Sequence, residues 1–379
     1  MMRGKADLAV IGGGILGLAH AFAAARRGKR VVLFERHGQA RGASVRNFGM
    51  VWPIGQPAGA MHALAMRSRE IWLEILAAAE LPYLPTGSLH VAYRRDEADV
   101  AKEFAAFGPA NGYDCRWVDA AEALKRSPAL VERGLLGGLF SSAELTVDPR
   151  VIVSRLPLFL AERYGVVLRY GCAVHSIELP AIKAGEETWE AGQVVLCGGD
   201  DFETLYPGLF AQAGLTRCKL QMLRTVPQPS GWQLGPALAA GLTLRYYPTF
   251  EVCPSLRGLK TRVAEESPEY DRWGIHVMLS QTARGEITIG DSHEYGADVD
   301  VFDKKEIDDL ILRYLESFVR LPEPAIAQRW HGVYAKHPAM PYFTASPEPG
   351  VRVVTVTSGI GMTLSFGLGE KIIHEIGAA

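Results

Sequence analysis

Three glycines near the N-terminus have the spacing of a nucleotide-binding turn. Gly12, Gly14 and Gly17 follow an apolar stretch, and the acidic residue Glu35 ends the next apolar stretch. In such a turn the first glycine permits a sharp bend, the second lets the backbone approach a pyrophosphate, and the third lets helix and strand pack closely. The pyrophosphate lies at the positive end of the following helix, and the acid accepts from ribose hydroxyls. This pattern predicts an adenine dinucleotide. An incidental glycine turn is the alternative.

The elements around this turn predict an α/β protein whose second part is α+β. The apolar strand that ends in Gly198 and Gly199 is typical of a parallel strand that meets a ligand. From about Leu215 to Arg329, long polar and aromatic strands indicate an antiparallel sheet with a covering helix. Helices are predicted over 18–27, 60–79, 97–107, 149–163, 304–319 and 365–376, with Asp148 as the N-cap of the fourth. Strands are predicted over 31–34, 87–93, 165–170, 173–179, 193–199, 242–247, 274–281, 286–290 and 351–356.

Composition excludes several classes of protein. The chain has 379 residues, 48% of them hydrophobic, and a net charge of −2, so a nucleic-acid partner is not expected. Its 5 cysteines are scattered without a CxxC pair, which favours reduced thiols over a disulfide framework or a zinc site, and we expect no metal. The glycine turn accounts for the apolar run near the N-terminus. We therefore expect a cytoplasmic protein without a membrane span.

Two further segments supply backbone donors. The loop from Arg41 to Met50 is rich in small residues and follows the second strand. Near the C-terminus, a strand, the small-residue turn from Thr357 to Leu364 and a helix follow one another, and this order places backbone amides at a ligand.

These motifs occur in an order that resembles the D-amino-acid oxidase superfamily of flavoenzymes. GxGxxG, Gly-Ala-Ser with Asn-x-Gly, the Asp-Pro helix, Val-Val-Leu-Cys-Gly-Gly and Ser-Gly-x-Gly-Met-Thr follow one another along nearly the whole chain. The layout is most similar to glycine and sarcosine oxidases. The resemblance implies a Rossmann-like FAD-binding domain of discontinuous segments (1–80, 146–214 and 330–379) with an inserted antiparallel-sheet substrate domain (81–145 and 215–329).

The resemblance also implies which residues contact FAD. The residues expected to contact the pyrophosphate are Gly12, Gly14, Ile15 and Gly17. The residues expected at the adenosine end are Glu35, Arg36 and Val174. The residues expected along the path to the flavin ring are Ser44, Asn47, Gly49 and Met50. Gly198 is a further candidate at the end of its strand. The turn that faces the ring comprises Gly359, Ile360, Gly361, Met362, Thr363 and Leu364. Sarcosine oxidases carry their flavin on a cysteine in the segment that matches 332–334, which has none here, so non-covalent FAD is expected.

The implied reaction is oxidation of an amine. In this family a hydride passes from the carbon next to the amine to the flavin, and the imine is hydrolysed to a carbonyl compound. No side chain is required as a base, so no catalytic residue is assigned. Oxygen or another electron acceptor would reoxidise the flavin.

The substrate's acidic group is expected to differ from that of an ordinary amino acid. In glycine-oxidase-like chains an arginine follows Trp-x-Gly-x and pairs with the carboxylate; Tyr334 stands at that position here. Lysine, tyrosine and histidine can surround a tetrahedral anion. The chain resembles a subgroup associated with phosphonate catabolism, which favours 2-aminoethylphosphonate or its N-methyl derivative as substrate, giving phosphonoacetaldehyde. Candidate substrate contacts are Arg245, Tyr246, Tyr247, Lys260, Arg262, Trp330, Tyr334, Lys336 and His337.

Other readings stay open. A glycine, sarcosine or D-amino-acid oxidase could take its anion-binding arginine from elsewhere, such as Arg245. A dehydrogenase that passes electrons to a quinone or carrier, or a non-catalytic FAD-binding protein, would share the same cofactor motifs. A nicotinamide-linked enzyme would share the dinucleotide-binding turn.

Overall fold

The helices and strands follow the predicted order with one clear exception. The structure is a computed structural model that describes residues 2–378. Its helices are α1 (Ile15–Ala25), α2 (Ala60–Ala78), α3 (Arg95–Phe107), α4 (Ala120–Arg126), α5 (Pro149–Tyr164), α6 (Pro207–Gln212), α7 (Gly241–Leu244), α8 (Leu256–Glu266), α9 (Pro268–Arg272), α10 (Lys305–Phe318) and α11 (Gly361–Ala378). Its strands are β1 (Met2–Ile11), β2 (Val31–Glu35), β3 (Met50–Val51), β4 (Tyr83–Leu84), β5 (Ser88–Ala92), β6 (Cys115–Asp119), β7 (Gly137–Ser141), β8 (Leu145–Val147), β9 (Val167–Tyr170), β10 (Val174–Glu178), β11 (Ala181–Ala184), β12 (Glu187–Leu196), β13 (Thr216–Thr225), β14 (Ala237–Ala239), β15 (Met278–Gln281), β16 (Ile287–Gly290), β17 (Glu294–Gly296), β18 (Ile326–Lys336), β19 (Tyr342–Ala345) and β20 (Val351–Val356).

The first sheet has a parallel centre. Its strands run in the order β10-β11-β12-β1-β2-β9, and β20 pairs with β12 and with β19. The pairs β1–β12, β1–β2, β2–β9 and β12–β20 are parallel, so the carboxyl ends of these strands meet at one edge. Leu18 and Phe22 of α1 pack against Phe366 of α11 in the core beneath this sheet. The sequence predicts this part of the fold correctly.

The second sheet is antiparallel except at one pair. Its order is β17-β13-β16-β15-β14-β5-β7-β6, with β18 paired to β13. Among the described strands of this second sheet, only the pair β14–β5 is parallel. Ile307 and Ile311 of α10 lie in the same core as Leu223 and Ile289 of this sheet. This matches the predicted sheet with a covering helix. A small third sheet has the strand order β3-β8-β4.

Two details differ from the prediction. The predicted strand over 242–247 is wrong, because this segment forms α7 followed by a turn in which Tyr246 N donates to Thr243 O. The predicted boundary at 329/330 falls inside β18, which pairs along its length with β13, and the boundary at 145/146 falls inside β8. We therefore propose that the second insertion extends to Lys336.

The N-cap of α5 is as predicted. Asp148 accepts a hydrogen bond from Arg150 N, and Pro149 occupies the first helical position. Within the described residues, no helix is long and apolar enough to cross a membrane. All five cysteines are free and buried.

Candidate functional site

A cavity of about 580 Å³ lies between the two large sheets. The carboxyl ends of β1, β2, β12 and β20 contribute Ile11, Glu35, Leu196 and Val356 to its wall. β13 and β18 of the second sheet form the opposite wall. In open α/β sheets, ligands bind in such a crevice beyond the carboxyl ends of the strands.

The N-terminal glycine turn presents bare backbone to this cavity. Gly12 has a φ of +107°, and an added Cβ there would collide with the carbonyl oxygen of Cys197. An added Cβ at Gly17 would collide with Gly12 O, so this glycine lets α1 pack against the turn. Gly14 is the N-cap of α1, and an added Cβ there would lie 2.8 Å from Ser44 Oγ. The geometry is that of a phosphate-binding turn at a helix N-terminus.

Two predicted side chains hold the turn in place. Glu35 Oε2 accepts from Gly13 N at 2.9 Å, and Glu35 Oε1 accepts from His37 N at 3.0 Å. Ser44 Oγ accepts from Ile15 N at 2.9 Å. Because a carboxylate oxygen accepts more than one hydrogen bond, Glu35 retains capacity for a ligand hydroxyl at the cavity wall.

A second helix N-terminus faces the cavity. Gly359, Gly361 and Met362 line it at the start of α11, and Gly359 has a φ of +73°. Tyr334 lies beside this turn, its hydroxyl 3.2 Å from the position of an added Cβ at Gly359. The positive ends of α1 and α11 therefore both favour negative charge in the cavity.

Most of the residues predicted to contact FAD line this cavity. Their individual roles remain predictions. The cavity is lined by Gly12, Gly14, Ile15, Glu35, Arg36, Ser44, Asn47, Val174, Gly198, Gly359, Gly361 and Met362. The candidates outside the wall are Gly17, Gly49, Met50, Ile360, Thr363 and Leu364. Three of these have structural contacts: Gly49 packs against Val147 O, Met50 pairs with Thr146, and Thr363 Oγ1 accepts from Trp52 N at 3.0 Å.

Of the predicted substrate contacts, only Tyr334 lines the cavity. Three predicted anion ligands are instead engaged with acids elsewhere: Arg245 with Asp271, Lys260 with Glu251, and Arg262 with Asp96. The sequence could not reveal these partners, because each lies 9 residues or more away along the chain.

The remaining candidates have mixed positions. His337 Nδ1 accepts from Met340 N at 2.9 Å and so stabilises a turn. Trp330 borders a second, more open cleft, with the Arg224 guanidinium 4.7 Å from its ring centroid. Tyr247 is packed beside Trp52 in the core.

A polar cluster next to the cavity was not predicted from the sequence. Asp291 lines the cavity and is 5% exposed. Behind it, Tyr246 stacks against His293 with ring centroids 5.4 Å apart, and His293 stacks against Tyr295 at 6.0 Å. Lys336 Nζ lies 5.8 Å from the centroid of Tyr295. Tyr246 and Lys336 thus belong to this cluster, which adjoins the wall near Tyr334.

The cavity fits FAD. Its glycine turn, two helix N-termini and Glu35 provide for a pyrophosphate and a ribose, and added Cβ atoms would disturb the wall at Gly12 and Gly14. The wall includes Glu35 and Val174 and also Tyr334 and Gly359, which lie side by side. A volume of 580 Å³ is within the ordinary range for cofactor sites.

Comparisons with known proteins agree with this geometry. Residues 7–374 match the DAO family model, described as FAD dependent oxidoreductase. Glycine oxidase of Geobacillus kaustophilus is 27% identical over 147 residues, which are 37% of this chain and 39% of that protein. A bifunctional ThiO/ThiG protein of Nostoc is 30% identical over 179 residues, 45% of this chain and 26% of that protein. The alignments therefore span well under two thirds of these relatives.

Solved structures share the whole fold. The crystal structure of glycine oxidase from Geobacillus kaustophilus has a TM-score of 0.76 at 19% identity and covers 98% of this chain and 94% of that chain. Glycine oxidase from Bacillus cereus has a TM-score of 0.78 at 17% identity, covering 99% and 95%. At these identities the likeness concerns the fold. It confirms the predicted class of fold.

The chain belongs to the DAO family of FAD-dependent oxidoreductases. The predicted cofactor, FAD, is confirmed as the cofactor of that family.

Proposed function

We propose that this protein is an FAD-dependent amine oxidase whose substrate is a small amine with an anionic group. The observation that carries the proposal is the cavity itself, where the end near Tyr334 and Gly359 adjoins the polar cluster of Asp291, Tyr246, Tyr295 and Lys336. FAD, when bound, supplies the two-electron oxidant for a carbon–nitrogen bond. We propose non-covalent binding, because β18 carries no cysteine at residues 332–334.

Tyr334 sets the limits of substrate recognition in this proposal. Burial raises the pKa of its phenol well above the usual range, so the side chain stays neutral. It therefore cannot replace the paired charge that an arginine fork offers to a carboxylate. The anion must be recognised by another group near the same end of the cavity.

Lys336 is the lysine that we assign to this task. It lies at the end of β18, two residues beyond Tyr334, and its ammonium is over the ring of Tyr295. An ammonium is a compact charge that suits a tetrahedral anion as well as a planar one. The ring of Tyr334, which lines the cavity, would hold the amine in one orientation.

The favoured substrates are 2-aminoethylphosphonate and its N-methyl derivative, with phosphonoacetaldehyde as product. Support comes from the missing arginine at Tyr334 and from the subgroup resemblance. A substrate panel with glycine, sarcosine and the two phosphonates tests this choice. Turnover of the phosphonates is expected; turnover of glycine or sarcosine with none of either phosphonate would overturn it.

A Lys336→Ala variant tests the anion site. Its KM for an anionic amine should rise about 10-fold or more, because one charge-assisted contact is lost. The KM for a neutral amine of the same length should change little. Lys305→Ala is a matched control, because Lys305 is exposed on α10 and pairs with Asp309. Equal effects of Lys336→Ala on both amines would remove Lys336 from the anion site.

A second candidate is an oxidase or dehydrogenase of an amino acid. The observation that favours it is Arg46, which lines the cavity and donates to His331 O at 3.3 Å. A carboxylate could pair with this guanidinium. Hydrogen peroxide release under air distinguishes an oxidase from a dehydrogenase that needs a carrier.

A further inference from the structure

Three side chains of metal-ligand type lie together beside the second sheet. Asp291 and His293 are two residues apart in the segment that joins β16 to β17. His276 is directly opposite Asp291: Asp291 N donates to His276 O at 2.8 Å, and His276 N donates to Asp291 O at 3.2 Å. In such a pair the two side chains lie side by side on the same face. The backbone pairing therefore brings His276 and Asp291 together, and the His293 ring lies beside that of His276 with the centroids 5.1 Å apart.

Their donor atoms lie close enough to share one ion. One ligand atom from each of the three residues lies within 4.8 Å of the others. His276 Nε2 and Asp291 Oδ1 are 3.2 Å apart. Ligands bound tetrahedrally at about 2.0–2.1 Å are separated by about 3.3 Å. The His276–Asp291 edge already has this length, and His293 completes the triangle after a shift of at most about 1.5 Å.

The histidines are prepared as neutral ligands. His293 Nδ1 lies 2.8 Å from Gly274 O, and donation to this carbonyl leaves Nε2 with a free electron pair. Metal-bound histidines typically donate their second ring N–H in this way. Burial lowers the pKa of His293 to about 4 and that of His276 well below its usual value, so both rings are neutral at pH 7.

Within the described residues, the carboxyl group of Asp291 has an oxygen without a hydrogen-bond donor. Its carboxylate is buried at the wall of the cavity, and among residues 2–378 its Oδ1 receives no well-formed hydrogen bond. Burial raises the pKa of this carboxyl well above its usual value, so the group is held neutral while no cation lies beside it. A divalent cation would stabilise the carboxylate form, and with one carboxylate and two neutral rings the site would carry a net charge of about +1.

We propose that His276, Asp291 and His293 bind a divalent transition-metal ion of the Zn²⁺ type, whose open position holds the anionic group of the substrate together with Lys336. Two imidazoles and one carboxylate form a three-ligand set that leaves room for an exogenous oxygen ligand. Asp291 lines the cavity, whereas His276 and His293 do not, so the proposal places the open position on the Asp291 side of the ion. The role of the ion rests on the proposed function; the ion site itself does not.

Zinc binding to the FAD-loaded protein tests the site. After equilibrium dialysis with Zn²⁺, mass spectrometry of the metal should find about one ion for each wild-type chain. His293→Ala and Asp291→Asn should weaken Zn²⁺ binding at least 100-fold, while His374→Ala, at an exposed position on α11, should bind as the wild type does. Zn²⁺ should also raise the Tm of the wild type but not of His293→Ala. Failure of the wild type to bind Zn²⁺, or equal binding by His293→Ala, would overturn the proposal.

Methylphosphonate then tests the role of the ion without any turnover. Its binding, followed by the change in flavin absorbance, should weaken at least 10-fold when a chelator removes the metal. Equal binding with and without metal would overturn the assigned role. This readout does not depend on amine oxidation, so it separates a failure of the metal proposal from a failure of the proposed function.

Discussion

The Gly14→Ala substitution tests whether the backbone at the start of α1 contacts the cofactor. The added Cβ would lie 2.8 Å from Ser44 Oγ and meet no other neighbour closer than 3.7 Å. Ser44 can turn away, because its side chain is short and lies in a loop. The FAD-free protein should therefore still fold.

The expected loss of FAD affinity follows from one contact. Rotation of Ser44 breaks the 2.9 Å hydrogen bond from Ile15 N with and without FAD, which lowers folding stability by about 1 kcal/mol and leaves Kd unchanged. The new methyl group stands where a pyrophosphate approaches the turn, and loss of one hydrogen bond to that anion costs about 1.5–3 kcal/mol. This loss corresponds to an increase of about 13- to 160-fold in Kd.

The assay is titration of FAD-stripped protein by quenching of flavin fluorescence. Gly38→Ala is the matched control, because an added Cβ there has no neighbour within 4 Å and Gly38 does not line the cavity. Urea unfolding of both FAD-free variants should differ by about 1 kcal/mol or less. Gly14→Ala binding FAD as tightly as Gly38→Ala would refute the assigned contact.

Two further predictions concern stability. Glu370 accepts from Arg67 Nε and Arg26 Nη2, both at 2.7 Å, and the Arg67 hydrogen bond lowers its pKa. Because that pKa is lowered by folding, the stabilisation is present above the unfolded value of about 4.3 and is lost as the pH falls through the folded value. Glu370→Gln should thus lower the free energy of unfolding by about 1–2 kcal/mol at pH 7 and by progressively less below pH 4. Glu375→Gln, at an exposed position, should have little effect. A loss for Glu370→Gln that stays constant across this pH range would contradict the mechanism. Asp148→Ala should lower the free energy of unfolding in urea by about 2–3 kcal/mol, because it removes the N-cap of α5 and a buried ion pair; a loss no larger than that of the exposed Ser154→Ala would contradict this.

Local chemistry explains which elements were predictable. The glycine turn, the Asp148-Pro149 start of α5 and strand β20 depend on residues adjacent in sequence, and each forms where it is predicted. The segment 242–247 resembles a strand, but Leu242, Thr243 and Leu244 are all buried, so alternation along it does not mark one face. Tertiary packing decides its helical turn instead.

The same distinction applies to the residues of the site. The FAD contacts near Gly12 and Gly359 lie within short motifs. The cluster of His276, Asp291 and His293 joins two segments 15 residues apart through their register, and one sequence does not reveal that register. The available signal was the sequence Asp291-Ser292-His293, which places two ligand-type residues close together along the chain.

Anaerobic reduction of the bound flavin tests the central claim most directly. FAD-loaded protein is mixed without oxygen with each amine of the panel, and the flavin absorbance is followed over time. Rapid bleaching by 2-aminoethylphosphonate or its N-methyl derivative, with slow or no bleaching by a neutral amine of equal length, is the predicted result. A flavin that no amine of the panel bleaches would contradict an amine oxidase acting at this cavity.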